Sequence, residues 1–470
     1  MAWITLKTWV IGNKLDLRCA DLQFSLFCQL YTASLAIHYT KRWNEPEIAT
    51  LAMACLVLCV FTREKLQWAS AISLVVIYAE IKGFPRIANH ATLMLFVSLA
   101  FCFSLVVCGV RSRPFPIKLF KNGLRGIAVV LYFFVGFHKI NTGFLDPEYS
   151  CATWFHSRIE TEILNGAYQI PQFVITWSPT YVIVAEILVA ALLIFQRTWL
   201  LALILALPIH LYVSLSGFTD FSSFMHAIMI LFIPDWFWRE LKATRWKRKL
   251  VTRSIRIYGL GIMVYSVFSI FALNVWYINY WDAELVKGII LNLLVLEFCL
   301  IVFLVWRSGR SRENTIQSWP DWHSWHSVPI VLVFFWGAFP YLFGSQGSLT
   351  MFSNLVTERD RANHLILDPT WTKIVDFEQD LIFVRGFDST NRIQSRGDLQ
   401  GYLLPEAEWR WSVYRAALNS DVPIGVTIEV DGKRQHLKDV VNSEYSTPLM
   451  ISYFLSFRKV DPIGSAKCRW

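Results

Sequence analysis

Long apolar runs separated by short polar connections set the rhythm of this chain. Eleven windows read as candidate membrane helices, centred on residues 22–39, 46–62, 66–81, 91–110, 123–138, 179–195, 199–216, 223–238, 257–278, 285–306 and 328–344. Several fall short of the roughly 20 residues that a perpendicular crossing needs, so the expected number of membrane helices is eight to eleven. From about residue 346 the pattern changes. Apolar stretches shorten, charges mix, and Asp431-Gly432 separates VTIEV from KRQHL, which predicts a two-residue β-hairpin. Pro405 followed by EAEWRWSVYRAAL predicts a helix with proline in its first turn. The expected fold is an all-α polytopic membrane bundle over 1–345, followed by a small extracytoplasmic α+β domain over 346–470.

Composition agrees with lipid as the solvent: 55% of the 470 residues are hydrophobic and 17% charged, more apolar surface than one soluble core of this length usually holds. Tryptophans gather where apolar runs meet polar ones, as in PDWFWRELKATRW, the pattern of an interfacial belt. A net charge of +9 comes from basic bursts between the windows, which points to membrane topology and away from nucleic acid. With the N-terminus inside, the inner segments carry 22 Lys and Arg and the outer connections 7. That bias puts the N-terminus in the cytoplasm and Lys139 and the C-terminal region outside. The start, MAWITLKTWVIGNKLDLRCADL, has no signal-peptide core, so insertion is expected through the first apolar window.

Of nine cysteines, Cys28, Cys55, Cys59, Cys102, Cys108 and Cys299 lie in apolar windows and read as small core residues. Cys151 and Cys468 lie outside them on the oxidising face, where a disulfide and two free thiols are equally compatible with the sequence. No cysteine spacing suggests zinc, and no metal site is read. Signatures of zinc peptidases, P-loop enzymes, serine hydrolases and dinucleotide binders are also missing.

Ionisable groups in or beside the apolar windows are the chemical candidates, because lipid penalises them unless they are paired, hydrated or used. They are Glu80, His90, His138, Lys139, Glu186, His210, Asp220 and His226. The plain alternatives are a snorkelling Lys139, acids paired with nearby bases, and hydrogen-bonded core histidines.

Three blocks among them resemble the vitamin K-dependent γ-carboxylase family, also called the HTTM family. YFFVGFHKIN, residues 132–141, is similar to the segment in which a YF..AG run leads into the catalytic lysine, and Lys139 falls on that lysine. His138 stands where the animal enzyme has a second lysine. ANHATLMLFVSLAF, residues 88–101, resembles the family's NNHSYL stretch and puts His90 on its functional histidine. IHLYVSLSGFTDFSSFMHAIMILFIPDW resembles the FH…FS…PEW run and aligns His210, Phe221, Ser222 and Trp236. HKIN.GFLDPEYSC and MFSNLVTE are similar to bacterial members.

The resemblance implies an epoxidase-type oxidoreductase: a lysine base, with His90 and His210 assisting, deprotonates a reduced naphthoquinone that then reacts with O2. His138, Asn89, Phe134 and Phe221 are the expected quinone contacts. CO2 would enter only in a carboxylase, and with about 120 residues after the last apolar window, in place of the family's long lumenal region, glutamate carboxylation is not expected. Two other classes compete: a non-catalytic lipid- or quinone-binding or assembly protein with an extracytoplasmic partner, and a transporter whose Glu80, Glu186 and Asp220 carry protons. No two-half symmetry supports the transporter.

Overall fold

The computed structural model describes residues 21–40, 45–62, 64–110, 115–164, 166–243, 324–344 and, with short gaps, 349–462, together with Cys468 and scattered positions between 249 and 299. Among the described residues, the bundle helices of eight residues or more are α1 (Leu22–Thr40), α2 (Pro46–Phe61), α3 (Lys65–Gly83), α4 (Asn89–Val110), α5 (Ile117–His138), the short α6 (Cys151–Arg158), α7 (Gln172–Ile194), α8 (Trp199–Leu215), α9 (Thr219–Met229), α10 (Asp235–Ala243) and α11 (Ser324–Phe343). Windows 257–278 and 285–306 lie largely outside the described residues.

Among the described helices, four are long and apolar enough to cross a membrane: α4, α5, α7, and α8 with the turn before it. A fifth candidate is the bent pair Thr219–Phe232 and Asp235–Leu241, which turns by 88°. That pair replaces the straight span expected at 223–238. Pro234 stands at the bend, where proline biases the preceding residue away from helical geometry. The apolar parts of α2 and α11 are shorter, at Pro46–Phe61 and Val328–Phe343. Conversely, α5 starts before its apolar window. Its first turns carry Lys118, Lys121 and Arg125, and Lys121 is buried against Asp21 at 3.2 Å.

The core explains the helix faces. In α5, Leu124, Ile127, Ala128, Leu131, Tyr132 and Val135 recur at three- and four-residue steps and are all buried, so one stripe of the helix meets its neighbours. It packs on α7 and α11, while α1 packs on α2 and α9. Gly136 allows the close approach of α5 and α7: a Cβ there would lie 2.8 Å from Ile187 Cγ1 and 3.3 Å from Glu186 Cβ.

A small antiparallel sheet follows, with order β2-β1-β3-β4 for β1 (Leu381–Phe387), β2 (Leu403–Pro405), β3 (Val426–Val430) and β4 (Lys433–Leu437). The β3–β4 turn is the expected one: Val430 pairs with Lys433, and Asp431 and Gly432 adopt φ of 50° and 75°, as a type I′ turn demands. Helix α12 (Glu406–Ala417) starts one residue after Pro405, which ends β2 and stands at the N-cap position, just before the expected first turn, without a capping hydrogen bond. Trp409 and Val413 of α12 close a core with Ile382, Val384, Val426 and Ile428.

The described residues 349–358 and 361–364 belong spatially to the bundle end and not to this sheet. Leu349 and Met351 join the bundle core. Asn354 receives the Cys151 N–H at 3.0 Å and donates to Tyr149 O at 2.9 Å. Cys151 and Cys468 form a disulfide that ties the C-terminal segment to α6. A second tie is Arg86, whose guanidinium spans both Glu408 oxygens at 3.1 and 2.9 Å and reaches Ser452 O at 2.7 Å.

Candidate functional site

The HKIN junction is built by capping. Helix α5 ends at His138, and the next residues turn so that Asn141 Oδ1 accepts the Phe144 N–H at 2.8 Å. The Asn141 amide donates to His138 O at 2.7 Å and Ser353 O at 2.6 Å. Asn141 is thus a structural clamp between α5 and the 349–364 segment. Successive helical residues point about 100° apart, so Lys139 and His138 part company. Lys139 turns to α7, whereas His138 turns to α11, where Nδ1 meets the Tyr341 hydroxyl at 2.9 Å.

Lys139 is 4% exposed, and its Nζ lies 2.7 and 2.9 Å from the two carboxylate oxygens of Glu186 on α7. Val135 O at 3.3 Å takes a further N–H. The pair sits in the wall of a cavity of about 450 Å³, within the size range of small-molecule sites. Its walls are apolar: Leu131, Val135, Phe144, Phe155, Met351 and Phe352 among others. Phe173, Trp177 and Tyr181 of α7 also line it and are 68%, 66% and 57% exposed, so its mouth opens on the apolar outer face of the bundle.

Two prolines shape the wall. Pro179 lies inside α7 and leaves Ile175 O to the Ser178 hydroxyl, at 3.0 Å; Pro208 lies inside α8. Ser178 and Pro208 both line the cavity. Phe352 enters it from a left-handed backbone conformation, φ 49°, a costly conformation for an aromatic residue held by its surroundings.

His210 joins Lys139 in this cavity. Its Nε2 lies 2.5 Å from the Tyr132 hydroxyl, and its Nδ1 finds no partner among the described residues. His156 also lines the cavity and bonds the Tyr212 hydroxyl through Nδ1. Burial lowers the His156 pKa, so the neutral imidazole is favoured. His226 stands behind His210, with ring centroids 5.9 Å apart.

His90 is elsewhere. It sits with His38 and Asp220 on the far side of Phe221, whose ring is 5.5 Å from His210 and 6.4 Å from His90. Asp220 Oδ2 lies 2.8 Å from His38 Nδ1 and 3.1 Å from His90 Nε2. Behind His38, Glu80 Oε1 is 3.7 Å from Nε2 and accepts the Tyr39 hydroxyl at 2.9 Å. Lys139 and His210 on one side and His90 on the other are therefore two groups divided by one phenylalanine.

Of the expected quinone contacts, Phe221 lines the cavity. Phe134 packs with His138 on the α11 side, against Phe334 and over Gly337. Asn89, at the start of α4, reaches Thr350 Oγ1 at 3.5 Å. The three acids of the transporter reading do not share one path: Glu186 faces the cavity, while Glu80 and Asp220 belong to the histidine cluster.

Sequence reasoning missed His38 and His156. His38 carried a usable signal, since AIHYTKR ends its apolar run as FHK ends the one at Lys139. No protein-family model, curated protein or solved structure matches the chain. The carboxylase-family resemblance thus rests on its sequence blocks alone.

Proposed function

We propose that this chain is a multi-pass membrane oxidoreductase whose cavity takes a reduced naphthoquinone from the bilayer, with the Lys139–Glu186 pair as the proton acceptor. The observation that carries the reading is a buried amine and carboxylate in contact, set in the wall of an apolar cavity whose mouth faces outward among Phe173, Trp177 and Tyr181. Away from water, a charged ammonium–carboxylate pair loses much of its advantage over the neutral amine–acid pair. Passing the proton to Glu186 leaves a neutral amine whose lone pair at first accepts from the new carboxyl O–H, and rotation about the Cε–Nζ bond would turn that lone pair toward the cavity. That lone pair takes a quinol hydroxyl proton, and the resulting anion is the species that dioxygen oxidises. The balance closes as reduced quinone plus O2 giving quinone epoxide plus water: one oxygen atom enters the ring and the other leaves as water. His210, its Nε2 held by the Tyr132 hydroxyl, contributes its ring to the cavity wall, and the apolar walls would exclude water that would quench the anion.

The proposed orientation has a cytoplasmic N-terminus and an extracytoplasmic C-terminal domain. The distribution of Lys and Arg supports it, as does the Cys151–Cys468 disulfide, which belongs to an oxidising compartment.

A second reading, a non-catalytic quinone or lipid binder, draws support from the same pair: Glu186 already satisfies Lys139 through two contacts. The test is purified full-length protein in nanodiscs given a reduced naphthoquinone, with and without oxygen. Oxygen-dependent loss of quinol that vanishes in Lys139→Ala supports the enzyme. Saturable quinol binding without turnover supports the binder and rejects the enzyme.

A further inference from the structure

His38, His90 and Asp220 come from the C-terminal end of α1 and the N-terminal turns of α4 and α9. Their ligand atoms all lie within 4.8 Å of one another. We propose that they form a binding site for a divalent first-row transition ion of the zinc or ferrous iron class, set behind Phe221 and separate from the quinone cavity.

The donor chemistry selects the ion. Two imidazoles and one carboxylate suit zinc and ferrous iron and suit calcium or magnesium poorly, because those ions prefer an all-oxygen shell. The spacing agrees. Bonds of about 2.0–2.1 Å in a tetrahedron put neighbouring donors roughly 3.3 Å apart, and Asp220 Oδ2 is already 2.8 and 3.1 Å from the two ring nitrogens. Small rotations of these side chains convert a hydrogen-bonded cluster into three edges of a coordination shell. Three protein ligands leave a further position for water or another small ligand.

The surroundings are those of a built site. His38 would bind through Nδ1, which leaves Nε2 facing Glu80 Oε1 at 3.7 Å. At this distance the carboxylate acts on the imidazole through its charge, and a small approach would bring it into the hydrogen bond that supports a ligating ring. Glu80 is itself held by the Tyr39 hydroxyl and is fully buried. His38 and Asp220 are 6% and 3% exposed. Both rings would bind as neutral imidazoles, the state in which histidine ligates. None of this depends on what occupies the cavity.

The test uses full-length protein purified in detergent, stripped with a chelator, re-equilibrated with Zn2+ and measured by elemental mass spectrometry. Wild type should hold one zinc per chain. His38→Ala, His90→Ala and Asp220→Asn should each lose it, while His436→Ala, on the exposed β4 strand, keeps it. Glu80→Gln should weaken binding by about 10- to 100-fold. Cobalt loading gives a readout independent of stability: a visible ligand-field band in folded wild type, lost in folded His90→Asn. Wild type without stoichiometric zinc, or His38 and His90 variants that hold as much as wild type, overturns the site in favour of a hydrogen-bonded cluster alone.

Discussion

Lys139 and Glu186, one residue beyond α5 and midway along α7, meet through both carboxylate oxygens at 2.7 and 2.9 Å while almost wholly withdrawn from solvent. A buried pair of this kind is costly to break on one side, because the survivor keeps its desolvation penalty without its partner. Lys139→Met and Glu186→Leu are each expected to destabilise the protein by about 3–5 kcal/mol. The double variant should recover most of that loss. Thermal unfolding in detergent checks it; a double variant whose cost equals the sum of the singles would show the two residues to be uncoupled.

Gly136 sets the distance at which this pair can form. A Cβ there meets Ile187 Cγ1 at 2.8 Å and the Ile187 backbone nitrogen at 3.2 Å, and the backbone cannot swing aside as a side chain does. Gly136→Val should cost about 1–3 kcal/mol by overpacking. It should also reduce quinol turnover by separating α5 from α7. Unfolding midpoints and turnover, measured together, test both parts.

The Cys151–Cys468 bond closes a loop with a sequence separation of 317. Peptide mapping without reductant should recover the two cysteines cross-linked, and Cys468→Ser should lower stability by about 2–4 kcal/mol. Ready alkylation of both thiols in native protein would contradict the pairing and weaken the assignment of this face to an oxidising compartment.

Acid should loosen the bundle end at His364. Its Nε2 contacts Phe137 O at 2.9 Å, and its Nδ1 accepts the Leu367 N–H at 2.9 Å, so a proton at Nδ1 would displace that bond. Burial lowers its pKa below the ordinary 6.5. A depressed folded pKa contributes stability that is present above 6.5 and is lost as pH falls through the folded value, because the unfolded chain takes up the proton first. The wild-type unfolding midpoint should fall over that range, and His364→Gln should flatten the slope.

Much of this architecture was legible where local chemistry decides it. The stripe of α5, the Asp431-Gly432 hairpin and the α12 helix follow from periodicity and turn residues. The polar first turns of α5 hid its length, and a count of apolar windows could not register the turn at Pro234. At the site, Lys139 and His210 line one cavity. The separation of His90 from them depends on the single ring of Phe221, which no spacing encodes. Glu186 drew notice as a buried acid, but its pairing with Lys139 across 47 residues is a product of helix packing. His138, expected among the quinone contacts, faces Tyr341 on α11, because neighbouring residues on a helix point to different sides.

Turnover of a reduced naphthoquinone under 18O2 tests the central claim most directly. Wild-type protein in nanodiscs should yield the quinone epoxide carrying one labelled oxygen atom, and the folded Lys139→Met/Glu186→Leu variant should yield none. Equal yields from the two proteins, or no epoxide from either, would contradict the assignment of the Lys139–Glu186 pair as the catalytic base.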